Sequence, residues 1–191
     1  MESKGALSSG HLLPLRQRQH HAILVIMAHV FLLLGGNQGD RLEMFSRARG
    51  EIMRHVGKLH CESSIYETEP WGFEDDALFL NQLLVVDTKL SAEAVLETAL
   101  KIEHKLGRRR TTQQWAGRSM DIDILLFDDL VTQKETLSIP HPRLHLRRFA
   151  LEPLNEVAGE LVHPVLNKTI NTLLIECQDK QKVTLLVGKQ D

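Results

Sequence analysis

The sequence has few cysteines. Its 191 residues contain only Cys61 and Cys177, which are too few and too far apart for a disulfide framework or a cysteine zinc site. Both are interpreted as ordinary thiols, because free cysteine behaves as a small hydrophobic residue. This usage predicts a reducing compartment and a cytoplasmic protein.

The sequence also lacks a strong net charge and a long apolar run. The formal net charge is −2, which gives no overall electrostatic reason to bind nucleic acid or an anionic membrane. The apolar stretch from Ala22 to Leu34 is far shorter than the ~20 residues of a membrane span, and it contains His29. We therefore expect no nucleic-acid partner and no membrane partner, and we interpret this stretch as a buried first strand.

The chain is predicted to form one domain behind an N-terminal extension. Its composition, 42% hydrophobic and 25% charged, is that of an ordinary globular domain. Because all recognisable pattern follows Met27, residues 1–26 are expected to be a disordered extension or the product of an upstream start. A targeting peptide is the alternative. Residues 27–191 then form a single domain.

Two aspartates interrupt the apolar run Met120–Phe127. In a strand, side chains alternate between faces, so Asp121 and Asp123 share one face while Ile122 and Ile124 share the other. Two neighbouring carboxylates repel each other unless a cation neutralises them, and carboxylate oxygens suit Mg²⁺. The pair is therefore predicted to bind metal, with a solvated strand end as the alternative.

An arginine-rich segment, Gly107–Arg118, precedes the aspartates. It contains four arginines and no acidic residue, so it is predicted to contact a polyanion, with a solvated basic surface as the alternative. Guanidinium groups bind phosphate oxygens in pairs better than lysine does. A metal-binding carboxylate pair beside such a segment is typical of phosphoryl transfer.

The order of predicted elements is strand, helix, strand, strand, helix, strand. Asp40 and Ser91 are predicted to cap the two helices at their N-termini, and Gly57 and Gly107 to close them. This order is typical of an α+β fold with a ferredoxin-like βαββαβ core and additional C-terminal elements. The predicted strands are Val30–Leu34, Cys61–Tyr66, Phe79–Thr88 and the segment that carries the two aspartates.

Seven short motifs follow one another along the chain: Leu34–Asn37, Tyr66–Gly72, Phe79–Asn81, Ile102–Arg108, Arg118–Leu125, Ile139–Arg143 and Arg147–Phe149. In this order and spacing they resemble those of the 6-hydroxymethyl-7,8-dihydropterin pyrophosphokinase family of the folate pathway. The resemblance runs from about Val30 to about Leu174. It implies transfer of diphosphate from ATP to the hydroxymethyl group of the reduced pterin, giving AMP and the pterin diphosphate.

The resemblance also implies a role for individual residues. Asp121 and Asp123 would bind two Mg²⁺ ions with ATP, and Arg110, Arg118 and the two aspartates would be the catalytic groups. The implied ATP-binding residues are Glu103, Arg108, Arg110, Trp115, Arg118, His141 and Arg147. The implied pterin-binding residues are Thr68, Pro70, Trp71, Gly72, Phe79, Asn81, Trp115 and Phe149, with core packing as the alternative for each Phe.

The sequence departs from the family pattern without losing a charge or a metal ligand. Gly36 stands where Ser is common, and Ala116–Gly117 where Gly–Pro is common. Glu69 replaces a frequent Pro, and Phe79 a frequent Tyr. Two rival functions stay open: a nucleotide- or RNA-binding module, since ferredoxin-like sheets display stacking aromatics, and a catalytically silent pterin-binding homologue. We expect a monomer or a weak homodimer.

Overall fold

A computed structural model describes residues 27–70, 77–107 and 119–187. The predicted extension, residues 1–26, lies outside the described residues. The described elements are β1 (Ala28–Gly36), α1 (Arg41–His55), β2 (Gly57–Glu62), β3 (Ile65–Thr68), β4 (Phe79–Thr88), α2 (Ala92–Lys105), β5 (Asp121–Phe127), β6 (Thr132–Gln133), β7 (Ser138–Ile139), a 3₁₀ turn (Leu144–Leu146), α3 (Arg148–Ala158), α4 (Ile170–Glu176) and β8 (Val183–Val187).

The main sheet has six strands, and every described pair in it is antiparallel. Its order is β5–β1–β4–β3–β8, and β2 pairs with β4 beside β3. Strands β6 and β7 form a separate antiparallel pair. The prediction of an α+β chain is confirmed, and the sheet is antiparallel. Among the described helices, none combines the length and apolar character that crossing a bilayer requires.

Helices cover both faces of the sheet. Val30, Leu32 and Leu34 of β1 pack in a core with residues of α1 and α2. Phe31 and Leu33, which point the other way, pack in a second core with residues of α3 and α4. Strand β1 is therefore buried on both sides, which explains why its apolar run is continuous rather than alternating.

Three of the four predicted helix boundaries agree with the structure. Asp40 accepts a hydrogen bond from Glu43 N (3.0 Å), Ser91 accepts one from Ala94 N (3.3 Å), and Gly107 adopts a φ of 92° after α2. The prediction for Gly57 was wrong, because this residue begins β2 and Val56 caps α1. A Cβ on Gly57 would lie 2.1 Å from the carbonyl oxygen of Asp87, so glycine permits a close approach of β2 to β4.

The predicted strand Cys61–Tyr66 is two strands in the structure. β2 ends at Glu62 and β3 begins at Ile65. Between them Ser63 Oγ accepts a hydrogen bond from Leu83 N at 2.9 Å, so a side chain continues the backbone ladder through the break. The predicted bounds of β4, Phe79–Thr88, agree with the structure.

Candidate active site

Strand pairing brings residues from four strands into one row. Tyr66 lies opposite Asn81, Asn81 opposite Gly35, and Gly35 opposite Asp121. Residues opposite one another in antiparallel strands point to the same face of the sheet. Side chains from β3, β4 and β5 therefore surround Gly35 on one face, although they are far apart in the sequence.

Asp121 and Asp123 share that face, as the strand alternation predicts. Both are half-buried, whereas Ile122 and Ile124 point into the core under α1 and α2. The two carboxylates form a set of hard oxygen donors at the start of an edge strand, which is the chemistry that a divalent cation such as Mg²⁺ requires. The donor set thus fits a magnesium site.

Glu103 binds the strand that carries the aspartates. Its side chain is only 4% exposed, and its Oε1 accepts a hydrogen bond from Ile122 N at 2.8 Å. Ile122 lies between the two aspartates, so this contact fixes their backbone against the end of α2. Glu103 was predicted to contact ATP, and its described contact is with β5.

Asn81 and Thr68 form a buried polar pair beside Gly35. Asn81 Nδ2 donates to Thr68 Oγ1 at 2.9 Å, and both residues are 3% exposed. This bond orients the amide so that its Oδ1 faces Gly35, where an added Cβ would lie 3.6 Å away. Because Gly35 has no side chain, no side chain fills the space on the sheet between Asn81 and Asp121.

The structure describes both aromatic residues that were predicted to stack on the pterin. Phe79 is half-buried and pairs with Thr68 across β3 and β4. Phe149, near the start of α3, packs at the edge of the core between that helix and the sheet. The guanidinium carbon of Arg147 lies 5.5 Å from the centroid of the Phe149 ring, a cation–π contact.

The imidazole of His141 is neutral at pH 7. Burial first, and then the positive charges of Arg147 and Arg143, lower the pKa of His141 to about 4. Its Nδ1 accepts a hydrogen bond from Arg143 N at 3.2 Å, which places the ring proton on Nε2. Its backbone N–H donates to Leu125 O at 2.9 Å and so attaches the residue to β5.

Two side chains that the sequence did not single out bind residues before and after the segment 71–76. Arg41 Nη1 donates to Glu67 Oε1 and to Leu78 O, both at 2.9 Å. Asn37 Nδ2 donates to Ala77 O at 3.3 Å. Asn37 could have been found, since it ends the motif Leu34–Asn37. Arg41 carries no distinguishing sequence signal.

Gln181 holds the same region from the C-terminal part of the chain. Its Nε2 donates to Pro70 O at 3.0 Å and also to Glu69 O. The two partners are more than a hundred residues apart in the sequence, so no local pattern predicts the contact.

The structure describes ten of the predicted site residues. Register brings Asp121, Asp123 and Asn81 to one face, and pairing brings Thr68 and Phe79 together. His141 is attached to β5, and Arg147 contacts Phe149. Glu103 contacts the backbone of β5 and Pro70 contacts Gln181. The other predicted residues lie outside the described residues: Trp71, Gly72, Arg108, Arg110, Trp115 and Arg118.

A sequence model of 7,8-dihydro-6-hydroxymethylpterin-pyrophosphokinase, abbreviated HPPK, matches residues 31–159. The chain belongs to the HPPK family. The matched range contains every described residue of the predicted site, including both aspartates and Phe149. β8 and Gln181 lie beyond the range.

Relatives in the HPPK family support the same assignment. The chain is 36% identical over 144 residues to 2-amino-4-hydroxy-6-hydroxymethyldihydropteridine pyrophosphokinase of Aquifex aeolicus, covering 75% of this chain and 89% of the relative. It is 39% identical over 132 residues to the Bacillus subtilis protein of the same name, covering 69% and 78%. The protein of that name from Porphyromonas gingivalis is 40% identical over 141 residues, covering 72% and 95%.

Solved HPPK structures share the fold. Wild-type HPPK-DHPS of Plasmodium falciparum with pteroate superposes with a TM-score of 0.65 at 18% identity, covering 79% of this chain and 44% of that one. An HPPK-DHPS in complex with substrates gives a TM-score of 0.63 at 15% identity, covering 78% and 43%. The chain therefore spans less than half the length of these solved proteins.

Proposed function

We propose that this chain transfers diphosphate from ATP to the hydroxymethyl group of 6-hydroxymethyl-7,8-dihydropterin, giving AMP and the pterin diphosphate in folate biosynthesis. Membership of the HPPK family supports this activity. The observation that carries the proposal is the row Asn81–Gly35–Asp121, in which an amide and a carboxylate lie on opposite sides of a glycine. A flat heterocycle at Gly35 would present its hydroxymethyl group toward the aspartates.

Asp121 and Asp123 would hold two Mg²⁺ ions with ATP. Bound Mg²⁺ neutralises charge along the triphosphate and lowers the pKa of the attacking alcohol. The chain's own contribution is a fixed position for both carboxylates. Glu103 supports it by its bond to Ile122 N, which restrains the strand between them.

The phosphate side of the site would use donors of different charge. His141, neutral at pH 7, would donate its Nε2–H to a phosphate oxygen, while Arg147 would contribute positive charge beside it. We assign further phosphate contacts to Arg110 and Arg118 as catalytic groups. Arg108 and Trp115 are proposed to bind the nucleotide. Glu103 is proposed to support the ATP site through its hydrogen bond to the backbone of β5.

The pterin side would use stacking and one amide. Phe79 and Phe149 would stack on the two faces of the bicyclic ring, as planar heterocycles require. Asn81, held by Thr68, would pair with the polar edge of the ring. Groups of Pro70, Trp71, Gly72 and Trp115 are proposed to complete the pocket.

We infer that residues 27–191 form a single catalytic domain with a ferredoxin-like βαββαβ core. The strand order β5–β1–β4 followed by β2 and β3, all antiparallel, supports this inference. Cys61 and Cys177, the two cysteines of the chain, do not form a disulfide with each other, which supports a reducing compartment. The monomeric or weakly dimeric state and the cytoplasmic location stay predictions.

The proposal is tested by measuring AMP release from ATP and Mg²⁺ with and without 6-hydroxymethyl-7,8-dihydropterin. We expect AMP only when pterin is present, and a loss of at least about 100-fold in Asp123→Asn. Asp40→Asn is the matched control, because Asn caps a helix as well as Asp and the residue lies outside the proposed site. Pterin binding without AMP would identify a silent homologue, and ADP as product would refute diphosphate transfer.

A further inference from the structure

The other end of the same sheet carries a cluster of metal-ligating side chains. His29 Nε2 lies 3.3 Å from Asp87 Oδ1, and His60 Nδ1 lies 3.4 Å from the same oxygen. One donor atom from each of the three residues lies within 4.8 Å of the others. Gly35 lies six positions after His29 in β1, about 20 Å away at the rise of a strand, so the cluster is separate from the proposed active site.

The three ligands come from three neighbouring strands. His29 lies opposite Asp87 in the pairing of β1 with β4. In β2 the register shifts between Leu59 and Cys61, so His60 is the extra residue of a β-bulge. A bulge redirects side chains locally, and the Nδ1 atom of this bulged residue lies 3.4 Å from Asp87 Oδ1. β2 thereby supplies the third ligand.

The spacing of the donor atoms suits zinc. Tetrahedral Zn²⁺ with bonds of about 2.0–2.2 Å separates its donor atoms by about 3.3–3.6 Å. The two imidazole nitrogens lie 3.3 and 3.4 Å from the Asp87 oxygen, and all three donor atoms lie within 4.8 Å of one another. The rings of His29 and His60 meet edge to face, with centroids 4.9 Å apart. This arrangement lets one nitrogen of each ring point at Asp87 without the rings clashing.

Asp128 contacts His29 on the side of the ring that faces away from Asp87. Its Oδ1 lies 3.5 Å from His29 Nδ1, the nitrogen that faces away from Asp87, and accepts a hydrogen bond from His29 N at 2.9 Å. Asp128 N donates in turn to His29 O at 2.9 Å. A carboxylate on the outer nitrogen of a ligating histidine is the usual support of a zinc ligand, because it fixes the ring and its tautomer.

We infer that His29, His60 and Asp87 form a binding site for a transition-metal ion, with Zn²⁺ as the best fit, and that Asp128 positions His29. Two imidazoles and a carboxylate make a donor set that suits Zn²⁺ better than Mg²⁺. The cluster borders an open cleft of about 450 Å³, whose lining includes His29, His60 and Asp128. The cleft leaves room for water or a small anion in the fourth position.

The inference is tested by titrating the full-length, metal-free chain with Zn²⁺ alone, in the absence of Mg²⁺ and ATP. His60→Ala and Asp87→Asn should each remove one bound Zn²⁺ per chain in calorimetry and equilibrium dialysis. His55→Ala is the matched control, because His55 is a similarly exposed histidine 3.4 Å from a carboxylate oxygen of Glu51. It should bind as much Zn²⁺ as the wild type.

Asp128→Asn tests the supporting role. Asn tolerates the left-handed backbone that Asp128 adopts, with a φ of 41°, so the variant changes the charge and keeps the local fold. It should weaken Zn²⁺ binding about 10- to 100-fold, and His60→Ala by more. Co²⁺ should give tetrahedral absorption bands in the wild type and lose them in His60→Ala.

Equal Zn²⁺ stoichiometry and affinity in the wild type, His60→Ala and Asp87→Asn would overturn the inference, whether or not Zn²⁺ binds elsewhere on the chain. Circular dichroism of each variant checks that it is folded, and the half-exposed His60 can be truncated without opening the core. The readout is metal binding, so it is independent of the proposed pyrophosphokinase activity.

Discussion

His141 is buried beside Arg143 and Arg147, and burial together with these positive charges keeps its imidazole neutral. Burial lowers its pKa to about 4, and the two arginines act in the same direction. A charged histidine would bind phosphate more strongly in water, but here it would be repelled by the arginines that share its surroundings. In the proposed site, arginine would therefore supply positive charge to the phosphates, and histidine would supply a directed N–H.

The lowered pKa of His141 predicts a dependence of stability on pH. Between pH 6.5 and pH 4 the unfolded chain binds a proton at this position while the folded chain does not. Stability therefore falls as the pH falls, by up to about 3 kcal/mol at pH 4. Urea unfolding at several pH values should show a smaller loss in His141→Gln. His163, whose pKa is also lowered by burial, contributes equally to both proteins. Parallel curves for the two proteins would contradict the prediction.

The substitution Gly35→Ala is predicted to weaken pterin binding without affecting folding. In Gly35→Ala the new Cβ would make an ordinary contact of 3.6 Å with Asn81 Oδ1, so the free energy of unfolding should change by less than about 1 kcal/mol. The methyl group would occupy the space above the sheet between Asn81 and Asp121. We expect the KM for pterin to rise about tenfold, roughly 1.4 kcal/mol, with the KM for ATP unchanged.

Steady-state kinetics with each substrate varied in turn measures this effect. Gly57→Ala is the contrasting variant, because its Cβ would lie 2.1 Å from a backbone oxygen of β4. It should lower stability without a selective change in pterin binding. An unchanged pterin KM in Gly35→Ala would argue against a ligand lying over this row.

At the scale of elements, α3 is attached to the break between β2 and β3 by one carboxylate. Glu156 accepts hydrogen bonds from Ser64 N (2.9 Å to Oε2), from Ser64 Oγ (2.9 Å) and from Tyr66 Oη (2.9 Å). Ser64 is buried, so its N–H needs this partner. The helix that carries Phe149 is thereby fixed to the strand that leads to Thr68.

This attachment predicts a change in the ionisation of Tyr66. Burial, and then the hydrogen bond and negative charge of Glu156, raise the pKa of Tyr66 above its ordinary value. Tyr66 is the single tyrosine of the chain, so no other tyrosine contributes to its ultraviolet titration. Glu156→Gln should lower this pKa toward the ordinary value. Glu160→Gln, a neighbouring exposed glutamate, should leave it unchanged, and identical titrations in both variants would refute the attachment.

Elements with a complete local signal were predictable from the sequence, and elements defined by distant partners were not. The bounds of β4, the caps Asp40 and Ser91, and the shared face of Asp121 and Asp123 follow from local periodicity and side-chain chemistry. The break after β2 was missed, because Ser63 imitates a strand residue by hydrogen bonding to a neighbouring strand. Gly57 was misread as a cap, since only the position of β4 shows why glycine is required.

The same distinction applies to the candidate site. The motifs around Asn81 and the aspartates were readable in the sequence, whereas Gln181 and the cluster of His29, His60 and Asp87 were not. The third ligand, His60, is the extra residue of a bulge that shifts the register of β2, and register is a property of the assembled sheet. Sequence spacing alone places these three residues far apart.

At the scale of the whole molecule, the C-terminal segment connects the two sides of the proposed pterin pocket. Gln181 donates from its side chain to Pro70 O (3.0 Å), and its backbone N–H donates to Asp179 Oδ1 (3.0 Å). Asp179 Oδ2 accepts from Arg148 N at 3.0 Å, at the residue before Phe149. One short segment thus links the loop after β3 with the start of α3.

This link predicts a selective effect of Gln181→Ala on pterin binding. The variant removes the side-chain donor to Glu69 O and Pro70 O. Each of these hydrogen bonds contributes about 0.5–1.5 kcal/mol. Without them, the backbone of Glu69 and Pro70 is no longer held by the C-terminal segment. The KM for pterin should rise about tenfold while the KM for ATP and the affinity for Mg²⁺ stay unchanged, because the aspartates lie on β5. Gln178→Ala is the matched control, since within the described part of the chain the Gln178 side chain donates locally, to the nearby Glu176 O. An equal rise in both substrates' KM would mean that Gln181 stabilises the fold as a whole, and no rise in either would mean that the pocket is held without it.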